Sequence, residues 1–199
     1  MTETALFARW RHWLMAAALV LALPAWAGDN LFYGKDISDK GYGGDWRLTD
    51  HNGRKRTIAD FRGRIVLIFF GYTHCPDFCP TTLVKMATVM KQLGPDAAKV
   101  QVLFVTIDPE RDSEALLRNY VPVFDPSFLG LRGSDEETEK VTQDFKAHYQ
   151  LMKYRGETLV DHTASGYLID TKGKTRLLFS YTQTADQIAA DVRTILAEG

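Results

Sequence analysis

Residues 64–72 read RIVLIFFGY, and past the leading arginine the run stays apolar. A strand wetted on one face alternates polar and apolar side chains. A run apolar on both parities is a strand covered on both faces. Its β-branched and aromatic content suits a strand, and it is too short for a buried helix. Such a strand belongs in the middle of a sheet with helices packed on it. Residues 100–107, VQVLFVTI, predict a second buried strand.

The flanking segments keep to that plan. Residues 80–93 carry Leu83, Met86, Val89, Met90 and Leu93 at helical spacing, so the two methionines read as core rather than as thioether ligands. Residues 113–120 predict a short helix with Ser113 as its cap, and residues 134–147 a helix opened by a Ser134/Glu137 capping box. Residues 164–170 and 175–181 predict strands around a Thr171-Lys172-Gly173-Lys174 turn, and residues 184–197 an amphipathic closing helix. Upstream, residues 45–49 and 56–58 predict short strands about a His51-Asn52-Gly53 turn. The order predicts one α/β domain over residues 45–199, with a central mixed sheet flanked by helices. Residues 28–44 are polar and Gly-rich and read as an N-terminal extension, a leader that lies over the domain or stays mobile.

The first residues read as a targeting segment. Arg9, Arg11 and His12 precede an apolar run that Pro24 ends, and Ala25-Trp26-Ala27 has small residues where a signal peptidase reads them. The run is shorter than the ~20 residues that span a bilayer. Residues 1–27 are therefore expected to be a signal peptide cut before Gly28, with an uncleaved membrane anchor as the alternative. The expected location is the periplasm, either released or anchored at the inner membrane; membrane contact then runs only through that segment. A formal net charge of −1 gives no basic field to gather nucleic acid, and Arg54, Lys55 and Arg56 read as a solvated turn.

Export gives the cysteines their meaning. The chain has two, Cys75 and Cys79, with three residues between them. A disulfide closing so short a loop removes little chain entropy, so redox or metal chemistry explains the pair better than stability does. They lie in Gly71-Tyr72-Thr73-His74-Cys75-Pro76-Asp77-Phe78-Cys79-Pro80, where the buried strand hands over to a helix. Ligands collect at such strand ends. Each cysteine precedes a proline, which predicts that both stand outside regular helix, with Cys79 at the N-cap and Pro80 as the first helical residue. Orphan amides and the positive end of the helix there favour thiolate over thiol. A thioredoxin-type site has two residues between its cysteines; three leave room for an ion. Two inert buried cysteines are the bland alternative.

His162, in Val160-Asp161-His162-Thr163, is the best third ligand, expected on a loop before the next strand, with Asp161 placed to orient its imidazole. Two sulfurs and one nitrogen suit copper, and also zinc with a fourth ligand. His74 beside Cys75 either tunes that cysteine or binds metal weakly, or has a structural or solvated role. His51 and His148 read as solvated. Asp108-Pro109-Glu110-Arg111-Asp112 reads equally as a functional strand-end loop or a turn with local ion pairs.

These residues closely resemble the Sco/SenC family of copper proteins of respiratory oxidase assembly. The resemblance covers residues 43–196, on Gly43-Gly44-Asp45-Trp46, Asp60-Phe61-Arg62-Gly63, the Cys-Pro-Asp-Phe-Cys-Pro block, Asp108-Pro109-Glu110-Arg111-Asp112, and Asp161-His162-Thr163 with Tyr167-Leu168-Ile169-Asp170. It implies a thioredoxin-like fold and one copper per chain, Cu(I) or Cu(II), bound by Cys75, Cys79 and His162. It implies a metallochaperone that delivers copper to the binuclear site of cytochrome c oxidase subunit II, or to another copper-site apoprotein, with an upstream copper donor. The alternative is a thiol:disulfide oxidoreductase in which Cys75 and Cys79 reduce the cysteines of that site. A thiol peroxidase, which needs an arginine such as Arg111 beside its cysteine, ranks last. Many members keep an N-terminal membrane anchor, from which the short apolar run here departs.

Overall fold

The computed structural model describes residues 31–147 and 165–198 in full, and the backbone course of residues 149–154 and 157–162. Residues 1–30, His148, Arg155, Gly156, Thr163, Ala164 and Gly199 lie outside the described residues, and with them the signal-peptide expectation and the reading of His148.

Strand β4 (Ile65–Gly71) is buried at every position, as is β5 (Val100–Thr106), which pairs with it in parallel from Ile65↔Val100 to Gly71↔Thr106. Around them runs an eight-stranded mixed sheet in the order β1-β10-β9-β4-β5-β6-β2-β3. Its other members are β1 (Lys35–Asp36), β2 (Leu48–Asp50), β3 (Lys55–Arg56), β6 (Leu129–Arg132), β9 (Ser165–Ile169) and β10 (Thr175–Ser180). Strand β9 runs antiparallel to β4, with Phe69↔Gly166 and Val66↔Ile169. Strands β7 (Tyr149–Tyr154) and β8 (Glu157–His162) form a separate antiparallel ribbon.

Alternate residues of β4 face two helical layers. Phe69 stands on the side of α1 (Phe78–Leu93), edge-on to Phe104 of β5 with ring centroids 5.4 Å apart. Phe70 points the other way, onto Phe145 at 5.5 Å, just past α3 (Asp135–Asp144); Phe145 in turn packs on Tyr167 of β9 at 4.9 Å. Helix α4 (Ala185–Ala197) packs against α1. Met86 and Met90 are buried in the core.

The caps follow the sequence. Ser113 Oγ accepts from Leu116 N–H to start α2 (Glu114–Tyr120), and the Ser134/Glu137 box opens α3. Helix α3 stops at Asp144, short of residue 147, because Lys146 turns left-handed (φ 50°) and its amide and that of Ala147 bond back to Gln143 and Thr142. Strand β6 and the β7–β8 ribbon are additions to the predicted elements, and part of the leader is ordered: Lys35–Asp36 adds a strand beside β10, and Ile37 is buried.

Three expectations change. Helix α1 begins at Phe78, so Cys79 lies inside its first turn and not outside helix. Amides of the first turn have no intrahelical partner, so Pro80 forfeits nothing there. His51 is 4% exposed, not solvated. Its N–H donates to Gly130 O at 2.9 Å and its Nδ1 accepts from Gly130 N–H at 3.0 Å, so the imidazole completes a ladder beside β6. His162 is the last residue of β8, opposite Tyr149, and not a loop residue.

Candidate metal centre

Cys75 and Cys79 come together because β4 ends under the start of α1. After Gly71 the chain turns tightly, with Cys75 N–H donating to Tyr72 O at 3.2 Å, and α1 opens with Thr81 N–H donating to Asp77 O at 3.2 Å. Gly71 is glycine for a local reason: a Cβ there would lie 2.7 Å from Cys79 Sγ. The strand end is bare so that the sulfur can rest on it.

The two cysteines are not joined by a disulfide. Cys79 N–H, one of the orphan amides of α1, donates to Cys75 Sγ at 3.5 Å. Cys75 is 9% exposed and Cys79 1%, so Cys75 forms the accessible edge of the pair. The hydrogen bond with Cys75 and then burial push the Cys79 thiol well up, against a Tyr72 N–H that favours its charge. The helix start therefore does not make Cys79 a thiolate, as the sequence suggested; burial outweighs it, and a metal has to displace that proton.

Beneath the loop lies a polar support. Asp112, fully buried, accepts from Thr73 N–H at 3.0 Å, Thr73 Oγ1 at 2.5 Å and Thr106 Oγ1 at 2.6 Å. Thr106 Oγ1 also accepts from Asp108 N–H at 3.0 Å. Arg111 pairs with Asp108 and lies over the Tyr72 ring, 5.8 Å from its centroid. Asp108–Asp112 is thus both readings at once, a turn with an ion pair and the floor of the cysteine loop. His74 is half exposed, with Nδ1 3.1 Å from Thr73 Oγ1 and 3.6 Å from Asp112 Oδ1.

Among the described residues no three His, Cys, Asp or Glu side chains gather to hold a metal. Cys75 and Cys79 are two soft ligands in want of a third. Strand β9 runs antiparallel to β4, so its first residue, Ser165, lies at the end of the sheet where β4 leads into the cysteine loop. His162 precedes Ser165 by three residues, a reach of at most ~11 Å.

A family model described as SCO1/SenC matches residues 34–197. The chain belongs to the SCO1/SenC family. The mitochondrial SCO2 homolog of Bos taurus is 42% identical over 158 residues, covering 77% of this chain and 59% of the relative. The chain thus spans about three fifths of that relative's length. The copper-bound structure of Bradyrhizobium japonicum ScoI is 40% identical with a TM-score of 0.72, covering 77% of this chain and 99% of the other. BsSco, described with a disulfide switch and as a member of the Sco family of cytochrome c oxidase assembly proteins, is 27% identical with a TM-score of 0.63, covering 78% and 94%. The fold is the thioredoxin-like fold of Sco proteins.

In this Sco chain Thr106 is a residue of the site that the sequence did not single out, and Thr73 and Asp112 were read only as members of longer motifs. The signal for Asp112 was present: an aspartate closing a charged turn at the end of an apolar strand. What no local pattern shows is that β4 and β5 pair, which brings Thr73 and Thr106 to the same carboxylate.

Proposed function

We propose that this chain is a copper metallochaperone that holds one copper ion on Cys75, Cys79 and His162 and passes it to the binuclear copper site of cytochrome c oxidase subunit II. The observation that carries this reading is the pair of buried thiols at the strand end, with the Cys79 amide on Cys75 Sγ at 3.5 Å. Thiolates select soft cations, and imidazole suits copper in either oxidation state. The copper-bound ScoI relative supports copper over zinc as the cargo, and the oxidase-assembly description of BsSco supports the recipient. Transfer is ligand exchange: Cys75, at the accessible edge, is the sulfur a recipient thiolate reaches first, while buried Cys79 releases last. Residues 1–27 act as export signal or inner-membrane anchor, residues 28–44 as leader and residues 45–199 as the copper-binding domain, working in the periplasm downstream of a copper donor.

The same pair supports a second reading, as a reductase. The Cys75 thiolate attacks a disulfide of the recipient site and Cys79 then displaces it. The recipient gains two thiols and this chain keeps the Cys75–Cys79 disulfide. The nearness of the two cysteines and the disulfide switch described for BsSco favour it.

His162→Ala separates the two. Loss of an outer support typically weakens metal binding ~10–100-fold, and loss of a ligand weakens it at least as much. Copper titration of the reduced variant should therefore show affinity down by at least about tenfold, with dithiol exchange retained. An unchanged affinity removes His162 from the ligand set. Normal oxidase assembly in cells carrying the variant, at normal protein level, turns the reading to the reductase.

A further inference from the structure

Copper binding on Cys75 and Cys79 puts negative charge on sulfurs that water barely reaches. A buried thiolate needs hydrogen-bond donors around it. The fold supplies two from its backbone: the Cys79 amide on Cys75, and the Tyr72 amide on Cys79.

A third donor stands on the same face of the sheet. Tyr120 ends α2, and its ring packs on Phe104 at 6.2 Å and on Phe124 at 5.3 Å. Phe104 is also the neighbour of the cysteine site: a Cβ on Gly71 would sit 2.8 Å from the Phe104 ring and 2.7 Å from Cys79 Sγ. Sulfur, ring and phenol therefore share one layer over β4 and β5. The Tyr120 hydroxyl is buried there and has no hydrogen-bond partner among the described residues. A buried hydroxyl without a partner is uncommon and destabilising. It points to a state of the protein in which a partner arrives. A phenol keeps its proton at neutral pH and so can donate it.

We propose that Tyr120 is a positioning residue of the copper site, donating its hydroxyl hydrogen to the Cys79 sulfur when that sulfur is a metal-bound thiolate. The proposal rests on Cys75 and Cys79 being ligands. It assigns the phenol a partner in the loaded state only, so copper binding and the copper-free fold respond to its removal in opposite directions.

Tyr120→Phe tests this, because the ring and its packing stay and only the hydroxyl goes. Three quantities are measured on the reduced chain: copper affinity by chelator competition, the sulfur-to-copper(II) charge-transfer band, and the melting temperature without copper. The expected results are affinity about tenfold weaker, a band moved to longer wavelength because the sulfur has lost an electron-withdrawing hydrogen bond, and copper-free melting unchanged or higher. A variant that binds as tightly as wild type with an unshifted band overturns the role of Tyr120 and leaves the metal reading standing. A sharp fall in copper-free melting also overturns it, since the hydroxyl would then have a structural partner. A wild-type chain that retains no copper overturns the metal reading and this proposal together.

Discussion

Asp50 and Asp112 are both fully buried carboxylates under turns, one at the β2–β3 hairpin and one beneath the β4–α1 loop. Asp50 takes its donors from its own neighbourhood: Asn52 N–H at 2.9 Å, Arg54 N–H at 3.0 Å and Arg56 Nε at 2.8 Å. Burial alone would raise its pKa, but those donors and the Arg56 charge outweigh it and hold the group below the usual carboxylate range. Asp112 instead draws on Thr73 of the β4–α1 loop, 39 positions away, and on Thr106 of β5. One carboxylate closes a hairpin that a short peptide already encodes. The other ties two segments that meet only after β4 and β5 have paired, and its object is the cysteine loop.

The largest effect is therefore expected from Asp112→Ala. It strands three donors, the buried Thr106 Oγ1 and the part-buried amide and hydroxyl of Thr73, at about 2–3 kcal/mol by the usual cost of losing bonds to a buried charged group. It also frees Thr73, two residues before Cys75, so copper affinity should fall by about tenfold or more. Chemical denaturation and copper titration of the same preparation check both. Lost stability with intact copper affinity would mean that the cysteine loop holds its shape without Asp112.

Asp50→Ala should show the contrasting pattern. All three of its donors are part-buried, with none as enclosed as Thr106 Oγ1, so water replaces much of what is lost, and the expected cost is about 1–2 kcal/mol. Strand β2 is separated from β4 by β6 and β5, and copper affinity should be unchanged. A copper defect in this variant would show that the hairpin and the cysteine loop are coupled through the sheet.

The same contrast governs what was legible in the sequence. The two-sided apolar runs of β4 and β5, the heptad-like face of α1 and the Ser113 and Ser134 caps are local patterns, and the structure realises them. The cysteine pair was legible for the same reason, since four positions of chain carry both sulfurs. Strand β6 was not: residues 129–132 read LGLR, too short and too glycine-interrupted to show a period, and it becomes a strand because β5 and β2 offer it edges. Strand β1 likewise exists through its pairing with β10. Asp112 and Tyr120 belong with these. The charged turn that holds Asp112 is visible in the sequence, but its partners follow from a parallel pairing, and the place of Tyr120 follows from a ring stack. His51 misled for the opposite reason. It sits in a true turn, yet Gly130 lacks a side chain, and the imidazole closes on its backbone.

His51 gives the smallest effect and the most specific one. Burial first, and then the charge of Arg118, hold its imidazole neutral against the pull of Asp50. The geometry requires the same state, because Nδ1 accepts from Gly130 N–H at 3.0 Å and a proton there would break that bond. In the unfolded chain the group titrates near its ordinary value of 6.5. Below that pH the unfolded chain binds a proton that the folded one refuses, so stability falls as pH drops from about 7 toward the depressed folded value. Above about 7 both states are neutral and the contribution is fully present. One group can change stability by at most about 1.4 kcal/mol per pH unit. His51→Asn places a non-titrating oxygen where Nδ1 stands, keeping the acceptor for Gly130. Denaturant midpoints at pH 7.5 and 5.5 should therefore fall further for the wild-type chain than for this variant. Equal losses would place the pH response in another group, and not in Asp36, Asp50 or Asp60, whose own window lies below about 4.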